Sequence, residues 1–149
     1  MTDKPGYTPP NMPAVIGQLV VKDAQALVDF AVKSFGAQVF HLMPGPDGKG
    51  IMHGMIQIGG APLFVADAGG FAQPTQACTF VYVPDVDAAF ARAVESGAKP
   101  LAPVADMFWG DRWGMLSDPW GNIWQVATFK EHVSPEEMQR RLKAMSPAS

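Results

Sequence analysis

Cysteine is nearly absent. Cys78 is the one such residue in 149, so the chain can close no disulfide on itself, which fits a reducing compartment. Basic charge is scarce as well: 11 Lys and Arg stand against 14 Asp and Glu, and the net charge of −3 carries no electrostatic footprint for nucleic acid. The one basic cluster, Arg140, Arg141 and Lys143, sits beside Glu136 and Glu137 on a predicted terminal helix and reads as a solvated face. No uncharged apolar run approaches the roughly 18 residues of a membrane span. The opening MTDKPGYTPPNMP lacks the apolar core flanked by basic residues that marks a secretion signal. The expectation is a soluble, cytoplasmic protein with neither a nucleic-acid nor a membrane partner.

What is present is a repeat. Residues 21–37, VKDAQALVDFAVKSFGA, align with residues 83–98, VPDVDAAFARAVESGA, at an offset of 62. Val21, Asp23, Ala26, Ala31, Val32 and Ser34 meet Val83, Asp85, Ala88, Ala93, Val94 and Ser96. Two copies indicate a duplicated supersecondary unit and not a solenoid. Each copy carries the same physics. A β-rich run ends in Val, and Asp23 or Asp85 then stands where a helix N-cap belongs. Ala24, Leu27, Val28, Ala31 and Phe35 follow helical spacing, as do Val86, Ala89, Phe90, Ala93 and Val94. Gly36 and Gly97 can close the helices with positive φ.

Three strands are predicted after each helix, about 37–43, 50–58 and 61–66, then 98–104, 112–118 and 122–128. Asp-Gly, Gly-Gly and DPWGN supply the turns. With leading strands at about 14–21 and 77–83, the pattern is βαβββ twice. The predicted organisation is an extended arm over 1–13, modules over 14–70 and 71–129, and a terminal helix and tail over 130–149. Ser134-Pro135-Glu136-Glu137 predicts that helix's start, with Ser134 as N-cap and Glu137 completing a capping box.

The words VVKDAQALVDFAVKSFGA, MPGPDGKGIMHGMIQIGG and FWGDRWGMLSDPWGNIWQVAT resemble the PhnB-like branch of the vicinal-oxygen-chelate superfamily, which includes glyoxalase, bleomycin-resistance and dioxygenase proteins. The resemblance covers roughly residues 14–129, and GDRWG before DPWGN is its most specific part. It implies an α+β fold of two βαβββ modules forming half-barrels around a shared cavity, and commonly a homodimer. The superfamily's metal ligands lie on the first, fourth, fifth and eighth strands. Counting from the matching words, those positions fall on Ile16, on Val65 or Ala66, on Cys78 and on Gln125. Aliphatic side chains cannot coordinate a metal, so no metal site and no cofactor are expected. His53 with Cys78 and Gln125 is the one other donor set; His41, His53 and His132 show no ligand spacing.

If the superfamily's register holds, strand alternation points Ile16, Gln18 and Val20 into the first cup. Cys78, Phe80, Tyr82, Ile123, Gln125 and Ala127 then point into the second. Gln18 and Gln125 are expected to be buried and to need partners that a ligand would supply. Phe108, Trp109 and Trp113 offer flat surfaces. Burying one such ring removes about 150–250 Å² from water, several kcal/mol of gross driving force at about 25 cal/mol/Å². Arg112 could bind a carboxylate or phosphate, or pair with Asp111 or Asp118 to hold its loop. Cys78 is expected as a small buried thiol, Asp67 as a strand end or a general base, and Trp120 and Trp124 as core.

The candidate ligand-binding set is thus Gln18, His53, Cys78, Phe80, Tyr82, Phe108, Trp109, Arg112, Trp113 and Gln125. The expected function is metal-free binding of a small molecule. The alternative is an isomerase, lyase or dioxygenase that uses a divalent metal as Lewis acid.

Overall fold

The computed structural model of the chain describes residues 6–69 and 72–145. Eleven elements follow one another: β1 (Gly17–Val21), α1 (Ala24–Phe35), β2 (Gln38–Met43), β3 (His53–Ile58), β4 (Ala61–Asp67), β5 (Cys78–Tyr82), α2 (Val86–Glu95), β6 (Lys99–Asp106), β7 (Asp111–Ser117), β8 (Ile123–Phe129) and α3 (Pro135–Met145). The order is βαβββ twice with a terminal helix. Two four-stranded mixed sheets repeat one topology, β1-β4-β3-β2 and β5-β8-β7-β6. The first strand of each module pairs parallel with the last, and the other ladders are antiparallel. The described chain divides into two compact units. One runs to Thr75 without Lys33–Phe35, and the other takes Lys33–Phe35 with the chain from Gln76 on.

Local chemistry starts both helices in the same way. Asp23 accepts the Ala26 N–H at 3.0 Å and Asp85 accepts the Ala88 N–H at 3.1 Å. A second cap comes from the end of the module's last strand. Asp67 accepts the Ala24 N–H at 2.8 Å, and the Thr128 hydroxyl accepts the Val86 N–H at 2.9 Å. Two of the orphan donors at each helix start are satisfied in this way. Asp67 also accepts the Ile51 N–H at 2.6 Å, so its carboxylate closes the strand and ties a loop to it. That is the strand-ending role, and it leaves both oxygens engaged.

Within each unit the helix covers one face of the sheet. Leu19, Val21, Ile56 and Val65 are buried with Ala24, Leu27, Val28 and Ala31 in the first; Leu116, Trp124 and Val126 are buried with Val86, Ala89 and Ala93 in the second. Trp124 is fully buried and donates its indole N–H to Asp118 at 2.9 Å. Before α3, Ser134 accepts the Glu137 N–H at 3.2 Å as expected. The reciprocal half of the capping box is not made. The Glu137 carboxylate instead takes Arg140 at 2.6 Å and Arg141 at 3.0 Å, because two guanidinium groups one turn ahead outcompete a single backbone N–H. Those pairs hold its carboxyl down at about 2.

Candidate functional site

The face of the second sheet turned away from α2 carries the aromatic residues. Along β5, alternation sends Val81 into the core and leaves Cys78, Phe80 and Tyr82 exposed, Phe80 at 42% and Tyr82 at 57%. Along β8 it buries Trp124 and Val126 and turns Ile123, Gln125 and Ala127 the other way. The ladders then build rows across the face. Phe80 pairs with Gln125 and Gln125 with Met115; Tyr82 pairs with Ala127 and Ala127 with Trp113. Ala127 has no exposed surface, being a small residue between two large rings. It forms the floor of a shallow aromatic trough.

Hydrogen bonds fix the walls. Asp111, only 3% exposed, accepts the Tyr82 hydroxyl at 2.9 Å and the Trp109 indole N–H at 2.8 Å. The bond to Asp111, then burial, then the nearby negative charge all favour the neutral phenol, so Tyr82 titrates above the ordinary tyrosine value. Trp113 donates its indole N–H to the Gln125 side-chain oxygen at 3.1 Å, which turns the amide nitrogen toward the Cys78 sulfur at 3.5 Å. The rings also touch one another. Trp109 meets Trp113 edge-on at 5.6 Å between centroids and Phe108 at 5.1 Å, and Phe80 lies 5.1 Å from Tyr82.

The loop that carries Phe108 and Trp109 is pinned at both ends. The Met107 N–H meets the Asp111 carbonyl at 2.8 Å, and the Gly110 carbonyl accepts the N–H groups of Lys130 and Glu131. Gly110 has φ of 105°, and a Cβ there would collide with the Glu131 carbonyl, so glycine is required. Below this loop lies a cleft of about 510 Å³ bounded by Asp106, Met107, Arg112, Lys130 and Glu131.

Several expected residues take other places. Arg112 points away from Trp113 and forks onto Asp87 at 2.8 and 3.0 Å, with Asp106 at 3.2 Å. Neither Asp111 nor Asp118 is its partner, and its donors are occupied by carboxylates of the chain itself. Cys78 is exposed and not a buried thiol, because it sits on the face that α2 leaves uncovered. Gln18 is likewise exposed, contrary to the buried position expected for it. It borders a cleft of about 680 Å³ in the first unit, with Lys49, Met52, Ala66 and Asp67. His53 also belongs to the first unit, where its ring packs edge-on against Phe64 at 4.6 Å. Asp111, expected only as a partner for Arg112, instead anchors Tyr82 and Trp109. Its position in WGDRW, an acid between tryptophans, was the available signal.

The strand register decides between Val65 and Ala66 as the fourth-strand position that the resemblance implies. Leu19 pairs with Val65 on the buried side, whereas Gln18 pairs with Phe64 and Val20 with Ala66, so the fourth-strand position is Ala66. Ile16, Ala66, Cys78 and Gln125 offer one thiol and one amide, which do not fit a catalytic divalent metal. Among the described residues, no three His, Cys, Asp or Glu side chains converge as metal ligands.

Comparison with known proteins places these features. Residues 14–126 match the family model described as the Glyoxalase/Bleomycin resistance protein/Dioxygenase superfamily. An uncharacterized protein of Mycobacterium bovis is 34% identical over 143 residues, covering 89% of this chain and 93% of that protein. Among solved structures, TioX from Micromonospora sp. ML1 is similar at a TM-score of 0.64 and 26% identity, covering 77% of this chain and 97% of TioX. A PhnB protein from Bacillus cereus has a TM-score of 0.63 at 16% identity, covering 78% of this chain and 99% of that one.

Proposed function

This chain belongs to the glyoxalase/bleomycin resistance protein/dioxygenase superfamily, and we propose that within it the protein binds a flat, largely apolar small molecule without a divalent metal. The observation that carries this reading is the trough on the second sheet. Tyr82 and Trp113 flank Ala127, Phe80 lies against Tyr82 and Trp109 against Trp113, and Gln125 presents an amide N–H beside them. Phe80 and Tyr82 are exposed and Trp109 and Trp113 half-buried beside them. Hydrogen bonds from Tyr82 and Trp109 to Asp111 and from Trp113 to Gln125 make them a preorganised contact surface. Few rotamers remain to be frozen when a ligand arrives. The aromatic faces accept a planar molecule by offset stacking and tolerate positive charge on it. The donor set at the superfamily's metal positions supports the metal-free part of the reading.

The reading rests on binding and not on chemistry. Cys78 has Gln125 as its polar neighbour, and among the described residues no side-chain base is hydrogen-bonded to its thiol. Phenazine, a neutral tricycle, is a suitable probe. In a 15N-resolved NMR titration, the indole signals of Trp109 and Trp113 and the side-chain amide of Gln125 are expected to move together and saturate. Shifts confined to the first unit, or none at all, would sink the proposal.

A further inference from the structure

We propose that the β2–β3 hairpin carries a binding site for a soft monovalent cation of the copper(I) class, formed by His41, Met43, His53 and Met55. The site goes beyond the reading above: it lies in the first unit and shares no residue with the aromatic trough.

The ladder sets these four side chains as a square. His41 stands opposite Met55, and Met43 stands opposite His53. Between them lies the pair Leu42 and Gly54, which faces the core. A Cβ on Gly54 would meet Leu42 Cδ2 at 2.7 Å and Val65 Cγ2 at 3.0 Å, and Val65 has no exposed surface. Alternation therefore turns the four flanking residues to the opposite face. His53 confirms that side through its contact with Phe64, the β4 partner of Met55.

A register shift makes the square possible. Val39 pairs with Ile56, yet His41 and not Phe40 faces Met55, so one extra residue is accommodated at this point of β2. Such irregularities re-aim side chains, and this one brings a second histidine onto the face. The two imidazole centroids lie 5.5 Å apart. Two imidazoles that share an ion through nitrogens at about 2 Å have centroids roughly 5–6 Å apart. The spacing already suits a common ion.

The donor chemistry selects the ion. Thioethers are soft and favour copper(I), imidazole suits copper, and the quartet contains no carboxylate for a hard cation. Exposure also distinguishes the site from packing. His41 is exposed, Met43 is 43% exposed, and His53 and Met55 are half-buried, so an ion can reach all four.

Silver ion, which does not change oxidation state under the assay conditions, is the first probe, followed by copper(I) under reductant. Calorimetric titrations belong in a Cys78→Ser background, since the exposed thiol would bind the same ions. One silver ion per chain is expected, with the imidazole NMR signals of His41 and His53 shifting and those of His132 unmoved. Met43→Leu with Met55→Leu preserves volume and should weaken binding by about tenfold or more. His41→Asn with His53→Asn should do the same. Absence of saturable silver binding would overturn the proposal. So would undiminished affinity in the double-leucine variant with an unchanged circular dichroism spectrum.

Discussion

Asp118 holds the last turn of the second module through four donors. It accepts the backbone N–H groups of Trp120 and Asn122, the Asn122 side-chain amide and the Trp124 indole N–H, all at 2.9–3.0 Å. Asn122 in turn accepts the Ala77 N–H at 2.9 Å, so the network reaches the start of β5. Replacing Asp118 with Ala leaves buried donors unsatisfied and should cost about 3 kcal/mol, read as a lower urea midpoint. Asp111 performs the comparable task for the trough. Tyr82 is raised by its bond to Asp111, so stability from that pairing is fully present below the ordinary tyrosine value near ~10 and is lost as pH rises through the folded value. Ultraviolet titration of phenolate in a Tyr7→Phe background should therefore give a late midpoint. Asp111→Asn should bring that midpoint down; an unchanged midpoint would remove Asp111 from the account.

At the scale of elements, the duplication runs deeper than the aligned words. Gly54 and Gly114 both lie on the third strand of their modules, each opposite a fully buried valine, Val65 or Val126. A Cβ on Gly114 would lie 2.8 Å from the Phe90 ring and 3.0 Å from Val104 Cγ2. Gly114→Ala should overpack α2 against its sheet and cost about 1–3 kcal/mol in urea unfolding. Helices, caps and turns were legible in the sequence because their chemistry is local: Asp23, Asp85, Gly36 and DPWGN act within a few residues. Pairings across the sheet were not. Arg112 finds Asp87 25 residues away on α2, a partner that only the helix's place on the sheet could supply. His41 and His53, which looked unrelated in the chain, meet because a register shift and a long hairpin bring them together. Cys78 and Gln18 were expected inside because alternation gives the face of a strand but not what covers it.

At the scale of the molecule, the chain belongs to the glyoxalase/bleomycin resistance protein/dioxygenase superfamily, and aliphatic side chains, Ile16 and Ala66, stand at two of the four positions that the resemblance implies for metal ligands. Among the described residues no helix is long and apolar enough to cross a membrane. The aromatic trough and the His-Met square are separate devices on separate units, and their tests do not overlap. The most direct test of metal-free binding is a tryptophan-fluorescence titration of phenazine in excess EDTA, repeated with added zinc, on the native protein and on Trp113→Ala. The account predicts saturable binding in EDTA, no gain from zinc, and an affinity reduced by about tenfold in Trp113→Ala. Binding that needs zinc, or that ignores the loss of Trp113, would contradict it.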